Sequence, residues 1–274
     1  LNPLFFIKCY QRVKVRINEN QKKKSCFVFT VYLHPKKLSM KNLILFGFVI
    51  LALVCVQFVQ AQTVEDLISK HVAALGGKNN LSKINNVVME GSLSIQGTEI
   101  ALTLTQVHGK LNRQDITAMG MHGFDMMTDK EGWTYMPFQG MQQPEPKNAD
   151  EVKVNQGDLD IAGPLVDYAA KGHKVELQGK EDVDGTACFK IKATLAGGKE
   201  ISFFIDPVSY MIRRTRDKRK VNGQEAEMQT DYADYKDIEG VKMAYSITQQ
   251  FGTVYISGIK VNQVIPESAY KHDM

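Results

Sequence analysis

Apolar and polar side chains alternate with a period of two through most of this chain, and that period restricts what the chain can fold into. Val87, Met89, Gly91, Leu93 and Ile95 interleave with Val88, Glu90, Ser92 and Ser94, and Ile100, Leu102 and Leu104 interleave with Ala101, Thr103 and Thr105. Side chains two residues apart diverge around a helix but share one face of a strand, so these runs read as half-buried strands. Gln96-Gly97-Thr98 between them reads as a hairpin connection. Further strands are expected over residues 110–117, 124–128, 133–138, 174–178, 188–195, 200–205, 211–218, 225–235, 242–249 and 254–264. Asp184-Gly185, Gly197-Gly198, Asn222-Gly223 and Glu239-Gly240 supply the turn residues that tolerate positive φ.

Sequential hairpins imply an antiparallel meander. About eleven strands are more than an open twisted sheet holds without curling. The expected fold is therefore mainly β with some α: an incomplete, strongly curved antiparallel β-barrel with helices covering its concave side. One of those helices starts near Val64. There Val64, Leu67, Ile68, His71, Val72 and Leu75 recur at helical spacing, Glu65 and Asp66 occupy the first turn, and Gly76-Gly77 ends the run. Residues 160–171 predict a second, with Pro164 in its first turn and Leu165, Tyr168 and Ala169 on one face. The opening helix is expected to press against the strand that carries Leu102. Residues 141–156, polar and interrupted by Pro144 and Pro146, read as a mobile loop over one mouth of the barrel.

Upstream of the strands the chain changes character. Residues 40–61 have the parts of a secretory signal peptide: Lys41 at the positive end, an apolar run over residues 43–58, and Val59-Gln60-Ala61 as the small-residue cleavage site. A mature protein starting at Gln62 is expected, with periplasmic localisation. A transmembrane anchor is the alternative fate of that run, which approaches the roughly 17 residues needed to span hydrocarbon. Lipidation at Cys55 is a third, although Ala52-Leu53-Val54 lacks the small residue a lipobox needs before the cysteine. Residues 1–39 show neither period and read as an upstream extension from a misplaced translation start. Residues 62–274 are left as one domain.

Charge and cysteine content change once the leader is set aside. Of 34 Lys and Arg and 30 Asp and Glu, residues 1–61 hold ten and one, which leaves 24 basic against 29 acidic side chains and a net charge of about −5. Nucleic-acid phosphates demand a basic stripe, so no nucleic-acid partner is expected. Cys188 is the single cysteine beyond the leader, cannot form an internal disulfide, and sits between Ala187 and Phe189 as a small buried apolar residue would.

Catalytic patterns are missing. The sequence has no Gly-x-Ser-x-Gly elbow and no His-Glu-x-x-His, and His71, His108, His122, His173 and His272 share no metal-ligand spacing. Asp158 and Asp160 are the nearest candidates for a hydrolytic carboxylate pair, although both stand where they would introduce the second helix. We expect no enzyme, no cofactor and no metal. The methionines say more: Met119, Met121, Met126, Met127, Met136 and Met141 fall within 23 residues, among Phe124, Trp133, Tyr135 and Phe138. Flexible thioethers suit a surface that repacks around ligands of varied shape. Plain core packing is the competing reading, and a copper(I) site from Met119, Met121 and His122 is a third. On the first reading Met119, Met121, Phe124, Met126, Trp133, Tyr135, Leu165 and Tyr168 line an apolar cavity and its lid.

Short motifs in a fixed order add a resemblance. Asp66-Leu67-Ile68-Ser69-Lys70-His71 with Ala74-Leu75-Gly76-Gly77, Asp129-Lys130-Glu131-Gly132-Trp133-Thr134-Tyr135-Met136-Pro137-Phe138, Phe203-Phe204-Ile205-Asp206-Pro207 and Asp234-Tyr235-Lys236-Asp237-Ile238-Glu239-Gly240 together resemble the outer-membrane lipoprotein-sorting proteins, the LolA-like family of Gram-negative envelopes. The resemblance implies a half-open barrel whose cavity shelters acyl chains crossing the periplasm. It also implies a periplasmic carrier or chaperone of lipoproteins or other lipid, with inner- or outer-membrane delivery partners, and a monomer is expected. An envelope sensor that detects lipoproteins is the alternative within the same fold. Carriers of that family have an Arg-Pro pair on an early strand, where this sequence has Arg113 between Asn112 and Gln114.

Overall fold

The computed structural model describes residues 62–221 and 224–272. The expected upstream extension and signal peptide, residues 1–61, lie outside the described residues. Thirteen strands form one antiparallel sheet in the order β6-β5-β4-β3-β2-β1-β13-β12-β11-β10-β9-β8-β7. They are β1 (Asn86–Ile95), β2 (Thr98–Val107), β3 (Leu111–Ala118), β4 (Met121–Thr128), β5 (Gly132–Tyr135), β6 (Glu145–Pro146), β7 (Lys174–Val183), β8 (Thr186–Thr194), β9 (Glu200–Ile205), β10 (Ile212–Val221), β11 (Gln224–Ile238), β12 (Val241–Gln249) and β13 (Gly252–Val261). Paired positive-φ residues turn several hairpins, as at Gln96-Gly97 (50° and 83°) and Asp184-Gly185 (50° and 81°), the geometry whose twist matches that of the flanking strands.

The strand order is two meanders rather than one. The chain runs outward from β1 to the β6 edge, crosses to the opposite edge at β7, and returns to pair β13 with β1. Residues 147–173 make that crossing. Within it, Asp158 shows that the sheet is curved. The Asp158 carbonyl accepts from Gln106 Nε2 on β2 at 2.8 Å and Asn112 Nδ2 on β3 at 3.1 Å, while its carboxylate accepts from Lys199, just before β9, at 2.9 Å. β2 and β9 are six strand spacings apart in the sheet order, about 29 Å if the sheet were flat. One residue can touch both only because the sheet wraps around the crossing segment.

The helix expected near Val64 forms as α1 (Val64–Ala74), capped by Thr63, whose Oγ1 accepts from Asp66 N at 3.2 Å. Its end is set by Gly76, at φ 120°, where a Cβ would lie 1.9 Å from the Gly240 carbonyl oxygen in the β11–β12 turn. Leu67 and Ile68 pack on Ile191, Ala193, Phe203 and Ile205 of β8 and β9. A single-turn α2 (Lys78–Leu81) carries Leu81 into a second cluster with Val87, Val241, Met243 and Val261. α1 is therefore seated on β8 and β9, and Leu102 belongs to neither cluster.

The crossing segment differs from expectation in both halves. Residues 160–171 are a run of turns and not a helix, because Gly163 (φ 80°) and Asp167 (φ 52°) adopt left-handed backbone that a helix cannot contain. Their apolar residues are still buried: Leu165 packs with α1 and β9, and Val166 packs with Val87 and Val241. The stretch expected to be loop instead contains β6 and a short helix, α3 (Ala149–Val154), whose cap Asn148 accepts from Asp150 N at 2.8 Å.

Candidate functional site

Register assigns each strand residue to a face, since directly paired residues of an antiparallel ladder point the same way. Val87 faces α2 and the crossing segment, so Val87, Met89, Gly91 and Leu93 of β1 are concave. Pairing carries this face outward through Met89↔Leu104, Gly91↔Leu102 and Leu93↔Ile100 to β2, through Leu102↔Ile116 to β3, and through Gly91↔Ile256 to β13. Ile247↔Val254 extends it to β12. Val87 belongs to the buried cluster around α2 with Met89 at its margin; the other residues named are half-buried and lie beyond the buried clusters around α1 and α2. No concave position of β1, β2, β3, β12 or β13 carries a charge. The first ones met lie one strand further out on either side: Asp125 on β4, paired with Lys147 at 2.7 Å, and Lys236 on β11, whose Nζ stands 4.1 Å from the centre of the Tyr245 ring. This open, uncharged apolar face is the candidate site. It is a surface for burial: it gains stability by covering hydrocarbon, at about 25 cal/mol per Å2.

The eight residues expected to line a cavity fall in three places. Phe124 and Met126 are 3% and 0% exposed and form a small core with Leu111, against which Trp133, Tyr135 and Tyr270 pack. The pairings Met126↔Arg113↔Thr105↔Val88 put that core on the convex face, on the other side of the sheet from Leu165 and Tyr168. Leu165, 2% exposed, and the partly buried Tyr168 pack with α1. Met119 and Met121, 67% and 38% exposed, sit at the β3–β4 turn. The eight do not share one cavity, because the sheet separates them. Neither Met119 nor Met121 belongs to a packed core, and among the described residues no cluster of three His, Cys, Asp or Glu side chains could hold a metal ion.

Arg113 also lies on the convex face. Its guanidinium pairs with Asp115 at 2.9 Å and donates to the Lys271 carbonyl at 2.6 Å, while His272 stacks on Trp133 with ring centres 3.8 Å apart. In this chain Arg113 fastens the C-terminal residues over the convex core and has no contact with the apolar face. The carboxylates considered for hydrolysis are each neutralised separately, Asp158 by Lys199 and Asp160 by Lys171. Cys188 is fully buried with Val183 and Phe204, and burial pushes its thiol up, which makes it a poor nucleophile.

What sequence reasoning missed was the site itself. Its signal was present in Leu93, Ile100, Leu102, Leu104 and Ile116, a strict alternation with no charge on the apolar parity. The aromatic and methionine cluster was the louder pattern, and its Phe124, Met126, Trp133 and Tyr135 belong to the convex core.

No protein-family model matches the chain, and no curated protein matches it. The solved structures to which this chain is similar include the following three. A DUF1329 family protein from Desulfovibrio piger is 13% identical over 76% of this chain and 97% of its own, with a TM-score of 0.49. A LolA superfamily protein from Nitrosomonas europaea is 13% identical over 74% and 96%, at 0.47. A domain named for outer membrane lipoprotein sorting, from Vibrio parahaemolyticus, is 12% identical over 75% and 94%, at 0.44.

Proposed function

We propose that this protein carries acyl chains of lipoproteins or other lipids on the concave face of its half-barrel, shielding them in transit toward the outer membrane. One observation carries the reading: the apolar parity of β1, β2, β3, β12 and β13 is free of charge and only half-covered by the protein's own helices and crossing segment. A globular protein that had no ligand for such a face would gain by covering it. Each methylene laid on it gains about 0.8 kcal/mol, so an acyl tail of ordinary length can bind without ion pairs. The periplasm is the compartment this role calls for, and residues 40–61 have the pattern of a leader that would deliver the chain there.

A fluorescent fatty acid tests the reading. It should bind saturably, be displaced by a lipopeptide, and keep its affinity as salt rises from low to physiological strength, since burial is insensitive to screening. Failure to bind, or affinity that collapses with salt, would set the reading aside.

A further inference from the structure

A cleft of about 360 Å3 lies away from the apolar face, where the crossing segment passes between the β2–β3 turn and the β8–β9 turn. Its volume is in the range of small-molecule sites. Leu159, Leu195 and Val154 give it apolar walls, and Val154 is 40% exposed at the mouth. Its polar lining comprises His108, Lys153, Gln156, Asp160, Lys171 and His173, and the Gln156 amide already donates to the Val152 and Thr128 carbonyls.

The hydrogen bonds decide which of these groups are spoken for. Lys171 bonds the Asp160 carboxylate and the Gly163 carbonyl, the latter at 3.0 Å, and His108 Nδ1 stands 3.7 Å from Asp160. That pair is internally neutral. His173 Nδ1 accepts from the Ala196 N–H at 3.1 Å, so the neutral ring must carry its proton on Nε2. Burial and the Lys171 ammonium hold His173 below the ordinary imidazole range, with Asp160 opposing weakly, which agrees with that tautomer. Nε2–H and the Lys153 ammonium have no partner among the described residues. The cleft therefore offers one neutral donor, one unpaired positive charge and an apolar wall.

We propose that this cleft is a second ligand site, for a small monocarboxylate with an apolar body, its carboxylate held by His173 Nε2–H and Lys153 and its body against Val154, Leu159 and Leu195. A single unpaired cation matches a monoanion; a phosphate dianion would leave charge unbalanced in a cleft walled by hydrocarbon. The residues differ from those of the acyl-carrying face, so the two sites stand or fall separately.

Octanoate is the probe, added to the isotope-labelled full chain while the His173 and His108 imidazole resonances are followed. Octanoate should shift His173 saturably, whereas 1-octanol and inorganic phosphate should bind at least about tenfold more weakly. Lys153→Glu and Val154→Trp, both at exposed positions, should weaken the octanoate response by a similar factor without altering the rest of the spectrum. The proposal is overturned if octanol or phosphate matches octanoate, or if the His173 shift is absent or survives unchanged in Lys153→Glu.

Discussion

Lys199 and Asp158 form an ion pair that ties the β8–β9 turn to the crossing segment, at 2.9 Å, with the Lys199 side chain only 4% exposed and Asp217 3.8 Å from its ammonium. Because the same Asp158 is bonded through its carbonyl to β2 and β3, this pair holds distant parts of an open sheet in a curve. The curve gives the apolar face its shape.

Lys199→Met should destabilise the domain by about 2 kcal/mol, less than the 3–5 typical of breaking a buried pair, because Asp158 keeps a third of its exposure and can be rehydrated. Urea denaturation checks this. A variant as stable as the parent would mean that packing alone sets the curvature.

Gly76→Ala should cost more than about 1 kcal/mol, since the position combines φ 120° with a carbonyl oxygen 1.9 Å from the added carbon. Gly97→Ala, also at positive φ but with open space around it, should cost less. The two melting curves are compared directly. Equal shifts would show that strain, and not the contact with Gly240, governs both.

His71 predicts an acid-sensitive domain. It is 2% exposed, its Nδ1–H donates to the Tyr210 carbonyl at 2.7 Å, and burial lowers its pKa, opposed by that hydrogen bond. A histidine whose folded pKa lies below its unfolded value contributes stability above about pH 6.5 that is lost as pH falls toward the folded value, because the unfolded chain binds the proton more readily. His71→Gln, which can still donate to Tyr210, should flatten stability between pH 7.5 and 5.5 relative to the parent. An unchanged slope would assign the acid sensitivity to other groups.

Charge placed on the two faces should have opposite consequences. Met126→Lys and Leu165→Asp bury a charge at sites 0% and 2% exposed and should abolish the cooperative thermal transition. Leu102→Arg, at a half-buried position on the open face, should keep that transition and lose fatty-acid binding. This reverses the assignment expected from sequence, where Leu102 was placed under the first helix and Met126 and Leu165 at a cavity mouth.

The reasons for that reversal are physical. Period two reports which residues share a face, and it located nearly every strand, with Glu200–Ile205 matching its expected bounds. It cannot report which face is concave, because that depends on the β1–β13 pairing between residues about 170 positions apart. Where both faces are buried the period itself disappears. Phe124, Met126 and Met127 are all buried, the first two toward the C-terminal residues and the third toward Val152 and Leu159, so the run looked like one continuous ligand wall. Leu165, Tyr168 and Ala169 imitated a helix face, but Gly163 and Asp167 adopt left-handed backbone that interrupts any helix there. α1 was legible because spacing, cap and stop signal all agree over one short stretch.

The most direct test of the carrier reading is photo-crosslinking with a diazirine-tailed fatty acid at saturation, followed by peptide mapping. Labels should fall on Leu93, Leu102, Ile116 and Ile256, compete with unlabelled lipopeptide, and disappear in Leu102→Arg. Labels confined to Phe124, Met126 and Trp133 on the convex side, or labelling that lipopeptide does not displace, would contradict the claim that the concave face carries acyl chains.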